Sequence, residues 1–212
     1  MRITKLGHST LLVEEKQARF LIDPGTYAAI PDSIHPDAIL ITHQHPDHFH
    51  VDTIRILMKS NPAPLIVTQE AVKKLLEEAG ISSTMIADKE EIVIKDVSIR
   101  GYGTDHACLH KDLPLTQNRG YLIAGRLFHP GDALHDPRVN VEILALPVAG
   151  PWLKLDEVLE YAKALRPATV FPIHDGMIRD DRRGALAVLP KLILEKTPIR
   201  YHEMGEGSVL EF

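Results

Sequence analysis

The sequence has almost no cysteine and no long apolar run. Cys108 is its single cysteine, so no internal disulfide can form, as is usual in a reducing cytoplasm. No apolar run reaches the roughly 18 residues of a membrane-spanning helix. The first residues also lack the apolar stretch of a secretion signal. We therefore expect a cytoplasmic protein without a membrane partner.

The sequence also lacks a block of positive charge. Its 24 Lys and Arg against 29 Asp and Glu give a net charge of −5, which argues against a broad nucleic-acid-binding surface and leaves only a local basic groove open. Apolar residues make up 44% and charged residues 25% of the chain, which is ordinary globular composition. No linker interrupts the 212 residues, and we predict one domain over residues 1–212.

Periodicity predicts two halves of similar order, each running from a group of strands into alternating helices and strands. The first half is predicted to contain strands Ile3–Leu6, Leu11–Glu14, Phe20–Asp23, Ala38–Ile41, Leu65–Val67 and Met85–Ala87 and helices Asp52–Lys59 and Gln69–Ala79. The second is predicted to contain strands Glu91–Ile94, Val97–Tyr102, Gly120–Ile123, Arg126–Phe128, Glu142–Leu146, Ala168–Phe171 and Ile199–His202 and helices Leu155–Leu165 and Ala185–Glu195. Each half leaves a sheet face to cover, so we predict an α/β fold with two sheets face to face and helices outside.

A dense group of polar residues follows the buried strand Ala38–Ile41, in the pattern His43-x-His45-x-Asp47-His48. In an extended segment His43 and His45 point the same way, whereas the turn into the next helix redirects Asp47 and His48 towards a second, neighbouring metal. Imidazole nitrogens with a carboxylate suit Zn²⁺ best, and also Fe or Mn. A solvated loop is the alternative, but three histidines and an aspartate within six residues favour metal binding.

This motif, preceded by Ile22-Asp23-Pro24, resembles that of the metallo-β-lactamase-fold hydrolases. The opening Leu6-Gly7-His8-Ser9-Thr10 is similar to the L-ascorbate-6-phosphate lactonase-like branch of that family. The resemblance implies a four-layer αββα sandwich holding two divalent ions, Zn²⁺ before Mn or Fe. It also implies hydrolysis of a small-molecule substrate, a lactone, ester or phosphate ester, and an ability to form homo-oligomers.

The resemblance implies further ligands at the ends of later strands, namely His106, Asp132 and His174. One metal would then be held by His43, His45 and His106. The other would be held by Asp47, His48 and His174, with Asp132 bridging the two. Asp47 is also the candidate catalytic residue, because a carboxylate beside a shared water can orient it and take its proton. His110 competes with His106 as the third ligand.

Several neighbouring residues have more than one interpretation. His8 is either a turn residue or a group facing the metals, as a substrate contact or an extra ligand. His129 is either a hairpin residue or, as we expect, part of the pocket wall or an extra ligand. We expect Asp23 to accept hydrogen bonds from the loop that carries the motif, and Cys108 to be at least half-buried. The roles of two loops, Leu109–Arg119 and Val148–Trp152, remain open. In the first, Lys111 or Arg119 could contact an anion, and in the second, Trp152 could cover the site or pack on a neighbour.

Three functions compete with a small-molecule hydrolase. A phosphodiesterase or nuclease acting on nucleotides or short RNA or DNA is disfavoured by the net charge of −5. A non-catalytic metal-binding partner module would present a flat face instead of a pocket. A diiron redox enzyme is disfavoured because the flavodiiron relatives usually carry Glu where this chain has His45.

Overall fold

Two β-sheets of seven strands each form the centre of the computed structural model, which describes residues 1–59, 63–178 and 184–212. The strand order is β14-β1-β2-β3-β4-β5-β6 in the first sheet and β13-β12-β11-β10-β9-β8-β7 in the second. In each sheet an antiparallel group leads into four parallel strands. The two predicted halves therefore have matching topology.

The first sheet is built from the first half of the chain and the last strand. Its elements are β1 (Arg2–Gly7), β2 (Thr10–Glu15), β3 (Ala18–Ile22), β4 (Ala38–Leu40), α1 (Val51–Leu57), β5 (Leu65–Thr68), α2 (Glu70–Glu78), β6 (Thr84–Met85) and β14 (Val209–Glu211). Helices α1 and α2 form the crossovers between the parallel strands β4, β5 and β6, as such connections require. Strand β14, which the sequence did not predict, pairs with β1.

The second sheet follows the same plan. Its elements are β7 (Glu91–Ile94), β8 (Val97–Tyr102), β9 (Gly120–Ile123), β10 (Leu127–His129), β11 (Ile143–Pro147), α3 (Leu155–Leu165), β12 (Thr169–Ile173), α4 (Gly184–Leu194) and β13 (Arg200–Tyr201). The helices α3 and α4 again connect parallel strands. The prediction of strand Ala168–Phe171 stopped two residues early, because the strand continues through Pro172 to Ile173.

Pro172 is tolerated because its backbone faces the side of β12 where the short strand β13 no longer pairs. Strand β13 pairs only with Thr169 and Val170, and the Pro172 carbonyl accepts a hydrogen bond from the buried Lys5 ammonium at 2.9 Å. No ladder bond is lost to the missing N–H of proline. The longer strand carries His174 to the carboxyl edge of the sheet.

Three apolar clusters confirm the predicted four layers. The central cluster lies between the sheets and includes Ile22 and Leu40 from the first half with Ile143 and Phe171 from the second. Two outer clusters cover the other sheet faces, one towards α1 and α2, and one towards α3 and α4. Burial of each such side chain contributes about 1.5–3 kcal/mol, so both faces of both sheets are stabilised.

The helices are short connectors. The longest, α3 and α4, have 11 residues, and none in the described ranges has the length and apolar character to cross a bilayer. Helix α2 begins at Gln69, whose side chain accepts hydrogen bonds from the N–H groups of Ala71 and Val72. The predicted helices all form: α3 has the predicted bounds, and the ends of the other three are shifted by one or two residues, since terminal turns are the least determined by pattern.

Candidate metal centre

Polar side chains from both sheets meet at the carboxyl ends of their strands. Strand β4 leads into the loop that carries the His43–His48 motif, and β8, β10 and β12 lead to His106, Asp132 and His174. Loops at this edge of an α/β sheet are the usual place for a binding site. Residues far apart in the chain therefore form one site.

The first group of candidate ligands consists of His43, His45, His106 and Asp132. One nitrogen or oxygen atom from each lies within 4.8 Å of those of the other three. His43 Nε2 is 3.0 Å from His45 Nδ1, and His106 Nε2 is 3.3 Å from Asp132 Oδ2. His45 is half-buried and the other three are buried, so the group is open on one side.

The second group consists of His8, Asp47, His48 and His174, again with one such atom from each within 4.8 Å of the others. Asp47 Oδ2 is 3.2 Å from His8 Nε2, 3.7 Å from His174 Nε2 and 3.9 Å from His48 Nε2. Asp47 is the exposed member, with 20% of its side chain accessible. Asp47 is therefore the member of this group that solvent can reach.

Asp132 lies between the two groups. Its Oδ1 is 3.1 Å from His48 Nε2 in the second group, and its Oδ2 is 2.8 Å from His174 Nε2 and 3.3 Å from His106 Nε2. A single carboxylate thus touches imidazoles of both groups. This is the position that a shared ligand of two cations needs.

Four of the candidate histidine ligands have an oxygen partner on the ring nitrogen that faces away from the centre. His48 Nδ1 is 2.7 Å from Asp23 Oδ2, and His43 Nδ1 is 2.9 Å from Thr42 Oγ1. His106 Nδ1 donates to its neighbour's carbonyl, and His174 Nδ1 donates to the Ala149 carbonyl. A proton held on Nδ1 leaves the Nε2 lone pair free for a metal, which is the usual outer support of metal-binding histidines.

Four of the described atoms that point inward lack hydrogen-bond partners. His48 Nε2, His106 Nε2, His174 Nε2 and Asp132 Oδ1 are buried and have no hydrogen-bond partner within the ranges that the structure describes. A buried polar atom left unpaired costs about 1–3 kcal/mol, so four converging lone-pair donors need a common partner. Divalent cations satisfy this donor set, and the residues present therefore fit two metal ions.

Asp23 supports the loop that carries the His43–His48 motif. Its Oδ1 accepts a hydrogen bond from Thr42 N at 2.8 Å, and its Oδ2 accepts from Thr42 Oγ1 at 2.8 Å and from His48 Nδ1 at 2.7 Å. Asp23 is fully buried, so these bonds are shielded from water. The carboxylate fixes both the start of the loop and the orientation of His48.

The electrostatics of the metal-free site favour a cation. Burial raises the pKa of Asp132, but the positive charge of His48 and the close imidazoles of His106 and His174 outweigh it and hold that pKa well below its usual range. Burial likewise lowers the pKa of His48, yet the Asp132 and Asp23 carboxylates raise it well above its usual range. Burial keeps the pKa of His43 low. In the metal-free site a proton on His48 thus offsets the negative charge of the Asp132 and Asp23 carboxylates. A bound metal ion would offset this negative charge instead.

Asp47 is ionised at neutral pH. Burial would raise its pKa, but the hydrogen bond with His8 and the charges of His48 and His8 bring it down to about 2. The carboxylate is therefore a hydrogen-bond acceptor throughout the physiological range. It can accept a bond from a water molecule at the open side of the second group.

His129 does not lie in the pocket wall, where we expected it. It is fully buried, its Nε2 donates to the Ser9 carbonyl at 3.0 Å, and its Nδ1 accepts from Gly131 N at 3.2 Å. Both ring nitrogens are thus used by the backbone. His129 joins the β1–β2 turn to the Asp132 loop beneath the site and belongs to neither candidate group.

The loop after His106 lies at the surface. His110, the competing third ligand, is exposed and accepts a hydrogen bond from Asp112 N, whereas His106 lies in the first group. Cys108 is exposed, not buried as expected, because the chain leaves the sheet edge at this point. Arg119, proposed as an anion contact, is instead 8% exposed and donates to the Gly103 carbonyl.

Two supporting residues had no distinctive signal in the sequence. A Cβ atom on Gly25 would lie 2.0 Å from the Asp47 carbonyl, so glycine is needed for the β3–β4 loop to cross the ligand loop. By itself the dipeptide Pro24-Gly25 predicts only a turn. Asn118 accepts a hydrogen bond from Asp132 N at 3.0 Å and donates to the Pro130 carbonyl at 2.9 Å, which depends on β9 lying beside β10.

The fold and the paired His and Asp groups define a metal-dependent hydrolase of the metallo-β-lactamase type. The chain matches the family model described as a beta-lactamase superfamily domain over residues 2–174, and it belongs to that superfamily. Within it, the chain belongs to the UPF0173 metal-dependent hydrolase family: the member NEQ378 of Nanoarchaeum equitans is 30% identical, covering 82% of this chain and 83% of its own length.

Two further similarities extend over the whole chain. Protein Rv0786c of Mycobacterium tuberculosis is 36% identical and aligns over 100% of both chains. The solved structure of Igni18, a metallo hydrolase from Ignicoccus hospitalis, superposes with a TM-score of 0.76 at 18% identity, covering 100% of this chain and 98% of its own. The latter supports the fold. The finer likeness to the lactonase-like branch stays a prediction.

Proposed function

We propose that this hydrolase uses two divalent metal ions, Zn²⁺ before Mn or Fe, to hydrolyse a small lactone, ester or phosphate ester. The observation that carries the proposal is the position of Asp132, whose two oxygens reach imidazoles of both candidate groups at 3.1 Å and 2.8 Å. A single ion would not require two adjoining groups of donors that share a carboxylate.

In the proposed ligand set, His43, His45 and His106 hold the first metal and Asp47, His48 and His174 the second, with Asp132 between them. When bound, such ions supply a water of pKa near 7 and polarise the substrate oxygen under attack. The carbonyl partners of Nδ1 of His106 and His174 hold these rings in place, with Nε2 aimed inward. Ligation needs neutral imidazoles, so acid should release the metals.

His8 is better suited to orient Asp47 than to bind a metal. Its Nδ1 accepts a hydrogen bond from Gly176 N at 3.0 Å, so in the neutral ring the proton resides on Nε2. That proton points at Asp47 Oδ2, 3.2 Å away. We therefore assign His8 as the donor that holds the Asp47 carboxylate, although its Nε2 lies within the second group.

Asp47 is the candidate general base. Its carboxylate is ionised, partly accessible and held by His8, so it can accept a hydrogen bond from the attacking water, orient it and take its proton. The substrate carbonyl or phosphoryl group would enter from the side on which Asp47 and His45 are exposed. Asp132 and His43 are buried, so we assign them to metal binding only.

The test combines metal analysis with a substrate panel. Elemental analysis of purified protein should find two divalent ions per chain. The loaded protein should turn over one class among lactones, carboxyl esters, phosphate monoesters and phosphodiesters. His45→Ala should lower that turnover by more than the roughly 100-fold seen when an outer support of a metal ligand is lost. Because His45 is half-buried, this variant should still fold.

His110→Ala is the matched control, since His110 is exposed and outside both groups, and it should keep wild-type turnover. Full turnover by His45→Ala, or a metal-loaded protein inactive on every class, would contradict the proposal. Turnover confined to phosphodiesters, with salt-dependent binding of oligonucleotides, would favour the nuclease alternative.

We also propose that residues 1–212 form one domain and that the protein works in the cytoplasm. The first proposal is supported by the central cluster, to which both sheets contribute. The second is supported by the single cysteine, Cys108, which is exposed and free. Cooperative unfolding in a single transition is the expected result for one domain.

A further inference from the structure

The loop after β11 contacts the candidate metal centre at two points. The Ala149 carbonyl accepts a hydrogen bond from His174 Nδ1. Trp152, in the same loop, donates from its indole Nε1 to Asp132 Oδ2 at 3.1 Å. This loop therefore touches a ligand of the second group and the carboxylate that lies between the groups.

The Trp152 ring lies over both groups at once. Its centroid is 5.6 Å from the His106 ring and 5.6 Å from the His174 ring, with interplanar angles of 73° and 74°. Such edge-to-face contacts are favourable and define the orientation of an aromatic ring. The indole thus covers one imidazole of each group while its N–H reaches the carboxylate between them.

Gly150 makes room for this placement. A Cβ atom at residue 150 would lie 2.9 Å from Trp152 Nε1 and 3.1 Å from its Cε2. Two rigid groups cannot approach so closely, so any side chain there would push the indole away from Asp132. Gly150 does not have a left-handed backbone, and the effect of a substitution would therefore come from this steric contact.

We propose that Trp152 is a positioning residue of the metal centre: its N–H holds the Asp132 carboxylate in place, and its ring shields the space over His106 and His174. This inference rests on the proposed two-metal function. Hydrogen-bonded partners of metal ligands set ligand orientation, and their loss typically costs 10–100-fold in metal affinity. The sequence leaves open whether Trp152 covers the site or packs on a neighbour, and it assigns the indole no hydrogen bond.

The first test is calorimetric titration of the metal-free protein with Zn²⁺. Trp152→Phe keeps an aromatic ring but removes the N–H donor, and Gly150→Ala keeps the indole but displaces it. Both variants should bind Zn²⁺ about 10–100-fold more weakly than the wild type. Lys154→Ala is the control, because Lys154 is exposed and its ammonium pairs with Glu157, and its affinity should be unchanged.

The second test uses fluorescence, since Trp152 is the single tryptophan of the chain. Zn²⁺ should change the indole emission of the wild type in step with the calorimetric binding curve. In Gly150→Ala the emission without metal should already differ, and the change on adding Zn²⁺ should be smaller. Far-ultraviolet circular dichroism checks that each variant is folded. If Gly150→Ala is not folded, the calorimetric Zn²⁺ affinity of Trp152→Phe still tests the inference.

The outcomes separate this inference from the proposed function. Wild-type Zn²⁺ affinity in Trp152→Phe, together with unchanged wild-type emission at saturation, would overturn the role of Trp152 and leave the two-metal proposal standing. Failure of the wild type itself to bind Zn²⁺, Mn²⁺ or Fe²⁺ would overturn both. Weaker binding by the two variants but not by Lys154→Ala would support the inference.

Discussion

The two halves of the molecule contribute to the site in different ways. The first half supplies four candidate ligands from one loop, which a buried side chain, Asp23, supports through three hydrogen bonds. The second half supplies His106, Asp132 and His174 from three separate loops. Backbone carbonyls support His106 and His174, whereas Asn118 and Trp152 contact Asp132.

This difference determines where each half is vulnerable. A support made by a side chain can be removed by one substitution, so the first half should respond most to the loss of a carboxylate. A support made by the backbone cannot be removed in this way, and it depends on the path of the chain. The second half should therefore respond most to substitutions that change backbone geometry.

The largest effect is expected at Gly131, which precedes Asp132 and has a φ of 65°. A Cβ atom there would lie 2.2 Å from Asn118 Oδ1 and 2.9 Å from Thr42 Cβ. Gly131→Ala adds left-handed strain and breaks the hydrogen bonds of Asn118 with the Asp132 loop. Together these should lower the free energy of unfolding by about 3–5 kcal/mol, as measured by denaturant titration.

Gly125 provides the matched control, because its φ of 66° is nearly the same but a Cβ atom there meets nothing within 4 Å. Gly125→Ala should cost only the backbone strain, about 1–2 kcal/mol. Equal losses of unfolding free energy in the two variants would show that backbone strain alone accounts for the effect. The close approach of Gly131 to Asn118 and Thr42 would then contribute nothing.

A smaller effect is expected at Asp23. Asp23→Asn removes a buried charge that accepts three hydrogen bonds, and an amide offers one oxygen in place of two. The metal-free protein should lose about 2–4 kcal/mol of unfolding free energy, and metal affinity should fall about 10–100-fold. Denaturant titration and calorimetry with Zn²⁺ measure the two effects.

Asp136 is a suitable control, since it is exposed and accepts a hydrogen bond from Arg138 N. Asp136→Asn should change stability by no more than about 0.5 kcal/mol. Wild-type metal affinity in Asp23→Asn would remove the distinction between the halves, because the first half would then not depend on its side-chain support.

Sequence reasoning succeeded where the signal was local. The sandwich of two similar halves follows from periodicity, and the His43–His48 motif is contiguous. The more distant His106, Asp132 and His174 were named only through the resemblance, since their meeting depends on how two sheets pack. Strand β14 was missed because its three residues are exposed or half-buried and show no apolar alternation.

Supports of the site were harder to predict than its candidate ligands. His8 precedes Gly176 by 168 residues, and His129 follows Ser9 by 120. Local spacing cannot indicate hydrogen bonds between such distant backbone groups and these rings. The exposed position of Cys108 was missed for a related reason, because composition favours burial of cysteine whereas the path of its loop leads to the surface.

The smallest expected effect tests the connection between the halves, which His129 makes through Ser9 and Gly131. Burial lowers the pKa of His129 in the folded protein, whereas in the unfolded chain its pKa is near 6.5. At pH values between these two pKa values, the unfolded chain binds a proton at His129 and the folded chain does not. The stability from this group is complete above pH 6.5 and is lost as the pH falls through the folded-state pKa. The loss is at most about 1.4 kcal/mol per pH unit.

His129→Gln should flatten this dependence, because a glutamine amide can donate to the Ser9 carbonyl as Nε2 does and does not titrate. Unfolding free energies of chelator-treated protein at pH 7 and pH 5 would measure the change. His110→Gln, at an exposed position, should keep the wild-type dependence. If His129→Gln loses as much stability between these pH values as the wild type, His129 is not the titrating link, and acid sensitivity belongs to the buried histidines of the site itself.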